Sequence, residues 1–333
     1  MHGRLGILTR RLSIVATASL VAGCNWSQSI LAPRGSHAET IDILSWAFFI
    51  GGGAILALVA GCLAAAILLR RELTAWMANN NFIIGLGIVF PVITLTAILT
   101  FSAVTSRAFL TAEDAKIRIE VIGEQFWWRV NYLDGQGKPA FATANEIRIP
   151  LDTPVEFILK TQDVIHSFWV PNLAGKLDMI PGRINSITFA ATAPGIYRGQ
   201  CAEYCGAQHA LMAFYVVATS QAEYDAWLAQ QSGDAPEPAS PFLAQGQEVF
   251  LASGCGACHT VRGTPANGLL GPDLTRVGSR LSIAAGTYPV NVGTLAGWTS
   301  SAQHLKPGNL MPSFGNLQGE QLRAVAAYME SLK

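Results

Sequence analysis

Two short stretches concentrate the side chains that could do chemistry. In "GQCAEYCGAQHALMAFYV", Cys201, Cys205, His209 and Met212 bring two thiols, an imidazole and a thioether close together in the chain. "TQDVIHSFWVP" supplies a further imidazole, His166, in a turn between apolar segments. Cys201 and Cys205 could close a disulfide in an oxidising compartment, or join the histidines around zinc. A closed zinc site takes four ligands and leaves Met212 idle, whereas thiolate, imidazole and thioether together suit copper. Two thiolates, two imidazoles and a thioether exceed what one tetrahedral ion can use. The surplus points to two copper ions bridged by both sulfurs, an arrangement that spreads one electron over two metals.

The second stretch, "FLAQGQEVFLASGCGACHT", runs a short helical pattern into Cys255-Gly-Ala-Cys258-His259. C-x-x-C-H is the attachment signature of c-type haem: two thiolates add across the vinyl groups and the adjacent imidazole becomes an axial iron ligand. A zinc or redox-dithiol role would need a second ligand pair or a βαβ setting, and neither is present. Met311, in "LKPGNLMPSF", lies far enough downstream to return over the opposite haem face. Met/His ligation raises the potential of an electron-transfer haem and leaves no open position for oxygen. His304 is the alternative sixth ligand, but it lacks the "KPGNLMP" context.

The rest of the chain must position these groups. Of 333 residues half are hydrophobic, and 22 Lys and Arg balance 22 Asp and Glu. Nowhere do the basic residues cluster as nucleic-acid binding requires, so that class is excluded. Arg4, Arg10 and Arg11 precede a short apolar run from Leu12 to Ala22, which reads as an export signal over residues 1–23. Its ending, "LVAGC", resembles a bacterial lipobox; that resemblance implies cleavage before Cys24 and a diacylglycerol on its sulfur, the alternative being an ordinary signal peptide. Within residues 24–106, apolar runs at about 41–69 and 82–104 each exceed the ~20 residues a spanning helix needs. Arg70 and Arg71 directly follow the first run, which makes the short connection cytoplasmic and puts the rest of the mature chain outside. Pro91 predicts a kink in the second helix, and Cys62 and the Gly51–Gly53 run read as small residues at a helix–helix contact.

From 107 to 229 the texture alternates. "KIRIEVIGEQFWWRVNY" puts Ile117, Ile119 and Val121 on one face, and similar segments recur between turn signals. This predicts a small all-β sandwich or Greek-key barrel. Residues 230–241, "QSGDAPEPASP" and its neighbour, read as a flexible linker, and 242–333 as a small all-α module.

The aromatic strand "GEQFWWRVNY", "DVIHSFWVP", "KLDMIPGR", C-x-E-x-C-x-x-x-H-x-x-M and the helical hairpin together resemble subunit II of the haem-copper cytochrome c oxidases. Residues 242–333 resemble class I cytochrome c, with "GPDL" at Gly271–Leu274 and a closing helix near 319–332. The combination resembles the caa-type, in which the electron donor is fused to the oxidase. The resemblance implies a cupredoxin-fold domain bearing a mixed-valence CuA centre on His166, Cys201, Cys205, His209, Met212 and the Glu203 carbonyl. It also implies a magnesium ion reached by the Glu203 side chain at the border with subunit I, and haem c on Cys255, Cys258, His259 and Met311. Electrons would pass from a cytochrome bc1 complex or soluble cytochrome c to the haem, to CuA, and on to subunit I, where oxygen becomes water. Subunit III would be a further partner, and the assembly would sit in the bacterial cytoplasmic membrane with its copper and haem domains on the outer face. The linker would hold the haem module near the copper site at high effective concentration.

Two features depart from that pattern. Many relatives begin the aromatic run with tryptophan, the entry point from soluble cytochrome c. Here it reads Phe126, Trp127, Trp128, which would carry the electron entry if the role is kept. Relatives often carry a glutamate before the proline of the second helix, and "NNNFIIGLGIVFP" has no acid. Three other functions share parts of the pattern: a nitric oxide reductase with a CuA subunit, nitrous oxide reductase, whose propeller this chain has no room for, and a membrane-held electron carrier without a fixed partner.

Overall fold

The computed structural model describes residues 26–69, 75–109 and 115–333; the export signal, Cys24, Arg70 and Arg71 lie outside them. Two apolar helices come first, α1 (Ser36–Leu68) and α2 (Asn80–Thr105), each long and apolar enough to cross a membrane. Neither has a buried apolar stripe, as expected of helices whose solvent is lipid on most sides. α1 starts at Ser36, before the apolar run expected from residue 41, because its polar first turn docks on the domain that follows. Ser36 N–H donates to the Ala190 carbonyl and Ala38 N–H to that of Leu173. Gly35 is required there, since a Cβ would lie 2.5 Å from the Leu173 oxygen. Asn79 caps α2 by accepting from Asn81 N–H, and a π-helical turn at Gly85–Val89 widens the helix just before Pro91. That turn accommodates the proline ring, which would otherwise meet the carbonyl four residues back.

The alternating region forms ten strands in two sheets. Their ranges are β1 (Ile117–Glu124), β2 (Trp127–Leu133), β3 (Pro139–Ala144), β4 (Glu146–Pro150), β5 (Val155–Thr161), β6 (His166–Trp169), β7 (Leu177–Met179), β8 (Asn185–Phe189), β9 (Gly195–Cys201) and β10 (Ala213–Thr219). One sheet runs β3-β2-β1-β5-β8 and the other β4-β10-β9-β6-β7. In each sheet a single parallel pairing, β1 with β5 or β4 with β10, interrupts an antiparallel order. Ile119, Val121, Trp128, Phe157, Phe168, Phe189 and Phe214 fill the space between the sheets. Phe157 stacks on Phe189 and Phe168 on Phe214 at centroid separations of 4.6 and 4.8 Å.

The expected end of this domain at 229 and linker at 230–241 need correction. A helix, α3 (Gln221–Ser232), closes the sandwich, with Ser220 and Glu223 forming a capping box. Trp227 and Tyr224 anchor it, Trp227 meeting Tyr132 and Phe141 edge-on. The connection is therefore Gly233–Ser240, and it is not free. Arg262 bonds the carbonyls of Gln231 and Gly233, and Ala235 N–H donates back to the Arg262 carbonyl.

The last module contains α4 (Pro241–Ala252), α5 (Val292–Leu305) and α6 (Gly319–Ser331), with a hairpin β11 (Ser282–Ile283) and β12 (Tyr288–Pro289). Gly246 lets α4 and α6 touch: a Cβ would lie 2.2 Å from the Ala324 oxygen. Phe250, Leu295, Val325 and Tyr328 form the core.

Candidate metal and haem sites

The copper-type donors converge at one end of the sandwich. His166 opens β6, Cys201 ends β9, and Cys205, His209 and Met212 lie on the loop that leads into β10. This loop is held at both ends, Cys201 N–H donating to the Met212 carbonyl and Ala202 N–H to that of Ser167. The Cys201 and Cys205 sulfurs are 3.8 Å apart, and both thiols are free. His166 Nδ1 lies 3.7 Å from the Cys201 sulfur and His209 Nδ1 3.7 Å from that of Cys205. Met212 Sδ stands 3.8 Å from the Cys205 sulfur, and the Glu203 carbonyl 3.2 Å from that of Cys201. His166, Cys201, Cys205 and Met212 are buried, while the Glu203 side chain is exposed.

Electrostatics favour a charged cluster. A hydrogen bond from Cys205, then bonds from His166 and the Glu203 and Ser167 backbone, outweigh burial and bring Cys201 down to about 3. The Cys205 thiol is pushed up by its bond to Cys201, by burial and by the adjacent thiolate. The pair thus holds one shared proton, which belongs to the pair more than to either sulfur. A bound cation would displace it, since only thiolates ligate. Burial is the largest influence on His166 and lowers it, but the bonds to Cys201 and Asp163 together leave it above its usual value.

Sequence reasoning missed Asp163. Its Oδ1 sits 2.8 Å from His166 Nε2, and its Oδ2 accepts from Gln125 N–H. It fixes the ring so that Nδ1 faces the sulfurs, the usual task of a carboxylate behind a metal-bound histidine. A signal was available three residues before His166 in "DVIH".

Cys255, Cys258, His259 and Met311 all line one mostly apolar cavity of about 440 Å³, a volume suited to a cofactor. His259 Nδ1 donates to the Pro272 carbonyl at 2.8 Å, leaving Nε2 as the free ligand atom. Burial lowers its pKa, which favours the neutral ring that ligates. Met311 is held by its N–H on Asn309 Oδ1 and its carbonyl on Gln303 Nε2. His304 is exposed and does not line the cavity. Arg280 does line it, with its Nε buried and lacking a hydrogen-bond partner among the described residues. Such an orphaned donor fits a carboxylate-bearing group like haem.

The cavity is closed on one side by the sandwich. Gln125, Phe126 and Trp127 line it, and the Gln125 side-chain amide donates to the carbonyl of Cys205. Of the three aromatics expected at an electron entry, Phe126 is buried under the helical module, and Trp127 carries the Arg129 guanidinium 4.7 Å from its ring centroid. Trp128 does not reach the cavity. It packs in the sandwich core against Phe214 and beside His166, its Nε1 donating to the Met212 carbonyl.

A cupredoxin-like sandwich on a pair of apolar helices, with a C-x-x-C-H helical domain packed at its cysteine loop, defines a membrane-anchored protein of the copper-and-cytochrome class. A family model described as cytochrome c oxidase subunit II, periplasmic domain, matches residues 135–219, and one described as cytochrome c matches residues 243–333. "Cytochrome c oxidase subunit 2" of Alkalihalophilus pseudofirmus is 40% identical over 220 residues, 66% of this chain and 62% of that protein, less than two thirds of its length. The protein of the same name from Bacillus subtilis is 31% identical over 256 residues, 74% of this chain and 70% of that protein. The crystal structure of the periplasmic domain of subunit II of cytochrome oxidase from Bradyrhizobium japonicum is 29% identical and covers 36% of this chain and 96% of that chain, with a TM-score of 0.34. The chain belongs to the cytochrome c oxidase subunit 2 family and carries a cytochrome c domain fused at its C-terminal end.

Proposed function

We propose that the chain is the electron inlet of a respiratory oxidase. With haem c and dinuclear copper bound, electrons from a respiratory donor enter at the C-terminal domain, pass to the cysteine loop and leave for subunit I, where oxygen is reduced to water. The observation that carries this reading is the convergence of two thiols, two imidazoles, a thioether and a carbonyl on one buried spot, with the haem-sized cavity walled by residues bonded to that spot.

In this reading Cys201, Cys205, His166, His209, Met212 and the Glu203 carbonyl would hold the two coppers, which would supply a one-electron carrier. Burial of the sulfurs and the fixed loop ends limit movement of the ligands on a change of charge. Asp163 orients His166. The exposed Glu203 side chain is free to reach a magnesium ion held with subunit I. Cys255 and Cys258 would attach the haem, His259 and Met311 would supply its iron ligands, and Arg280 would be available to a carboxylate of the group. Phe126, which lines the haem cavity and packs near Gly206 of the cysteine loop, and Trp127, which lines the same cavity, would serve transfer from the attached domain. α1 and α2 hold the chain in the cytoplasmic membrane, with Arg70 and Arg71 on the inner side, both cofactor domains outside and Cys24 as a lipid anchor.

Metal analysis and visible and near-infrared spectroscopy on the full chain test this. The expected result is about two coppers and one haem per chain, with the near-infrared absorption lost in Cys201→Ser. One zinc, or an intact haem with no copper, would refute the copper assignment.

A further inference from the structure

The two cofactor domains are joined by more than their connecting segment. Lys306 is 1% exposed, and it is among the largest fully buried side chains of the described residues. Its Nζ donates to three carbonyls, those of Phe126 at 2.9 Å and Leu211 at 2.8 Å in the sandwich and that of Ala284 at 3.0 Å in its own domain. Leu211 immediately precedes Met212 on the cysteine loop, and Phe126 faces the haem cavity.

Ala284 belongs to the tip of the β11–β12 hairpin, which itself docks on the sandwich. Ala213 N–H, at the start of β10, donates to the Ala285 carbonyl, and Leu281 N–H donates to the Glu146 carboxylate. Gly286 permits the approach, because a Cβ there would lie 2.9 Å from that of Ala213. Ala284 and Ala285 have φ of +53° and +57°. Alanine seldom adopts this left-handed conformation, and it persists where surroundings hold it. Gln208 to the Pro307 carbonyl and Arg129 to the Leu269 carbonyl extend the contact.

We propose that Lys306 and the hairpin tip Ala284–Gly286 form a latch that fixes the haem-binding domain on the cysteine loop, so that transfer between the two sites starts from a preformed pose. Burial draws Lys306 down to about 7, but three carbonyls match the three N–H bonds of an ammonium, whereas an amine would leave one carbonyl unpaired. Lys306 is thus a positioning residue. It holds Phe126 and Gln125, which bonds the Cys205 carbonyl, against the haem cavity. The consequence for electron flow rests on the electron-inlet reading; the latch itself does not.

The test is amide hydrogen exchange on the full, loaded chain in detergent, comparing wild type with Lys306→Met. The Ala213 and Leu281 amides should exchange at least tenfold faster in the variant, while Val121 and Val325, deep in the two cores, keep their protection. Haem-to-copper transfer after rapid reduction of the haem should slow by a similar factor with both reduction potentials unchanged. Undiminished protection at Ala213 and Leu281 would overturn the latch. If Val325 also loses protection the domain has unfolded, and Gly286→Val, which blocks the tip without touching Lys306, replaces it. Unchanged Ala213 protection in that variant overturns the proposal equally. Metal content of the same wild-type sample judges the electron-inlet reading separately, because amide exchange does not depend on which metal occupies the loop.

Discussion

Removing the Asp163 carboxylate should weaken copper binding without removing a ligand. Asp163 Oδ1 is 2.8 Å from His166 Nε2 and also accepts from Val164 N–H, while Oδ2 accepts from Gln125 N–H. Loss of such an orienting partner typically costs 10–100-fold in metal affinity, or about 1.4–2.8 kcal/mol. The Asp163 side chain is 32% exposed, so solvent screens part of its charge. Asp163→Asn keeps an acceptor for His166 and should fall near the tenfold end. Asp163→Ala loses the acceptor and the turn it holds, and should approach ~100-fold. Chelator competition on the full chain measures this, with near-ultraviolet dichroism confirming that the sandwich remains folded. Wild-type affinity in a folded Asp163→Ala chain would refute the argument that this carboxylate sets the ring.

Met311→Ala should lower the reduction potential of the haem while leaving it covalently attached, and His304→Ala should change neither, as read by redox titration with optical detection. Gly246→Ala pushes a methyl to within 2.2 Å of the Ala324 oxygen and 2.7 Å of Tyr328 Cβ; it should cost about 3 kcal/mol and lower the thermal midpoint of the haem domain by more than ~10 °C. Burial, then the charge of Asp225, raises Tyr224 to about 12. Folded protein keeps this proton while unfolded protein loses it near 10, so sandwich stability should fall as pH rises from 10 towards 12. Denaturant midpoints across that range, flattened by Tyr224→Phe, would check the sign.

The ligand residues were legible because their chemistry is carried by type and close spacing: Cys201 through Met212 is one loop, and Cys255 to His259 is one turn. The strands were legible because burial follows a period of two, as Ile119 and Val121 show. α3 was not, although Ser220 and Glu223 spell a capping box: most of it falls in a region read as all-β, and its last residues run into the glycine and prolines that read as a linker. Asp163 and Lys306 were hidden for a different reason. An isolated acid or lysine is usually a solvated surface group. Only the fold brings Lys306 against Phe126 and Leu211, 180 and 95 residues away.

That distinction bears on the aromatic run. A residue receiving electrons from a freely diffusing protein must be reachable, and Phe126 is only 6% exposed, covered by the chain's own haem domain. Its carbonyl is occupied by Lys306, and Gly206 and Gly308 pack near its ring. A larger indole at this position would meet Gly206 on one side and the 306–308 turn on the other. Phenylalanine's volume therefore fits the packing between two joined domains, and the buried ring offers no surface to an external partner. The same contact explains why a segment of such flexible composition, Gly233–Ser240, can be short and partly bonded: it spans two domains already in register, so it has no search to make possible.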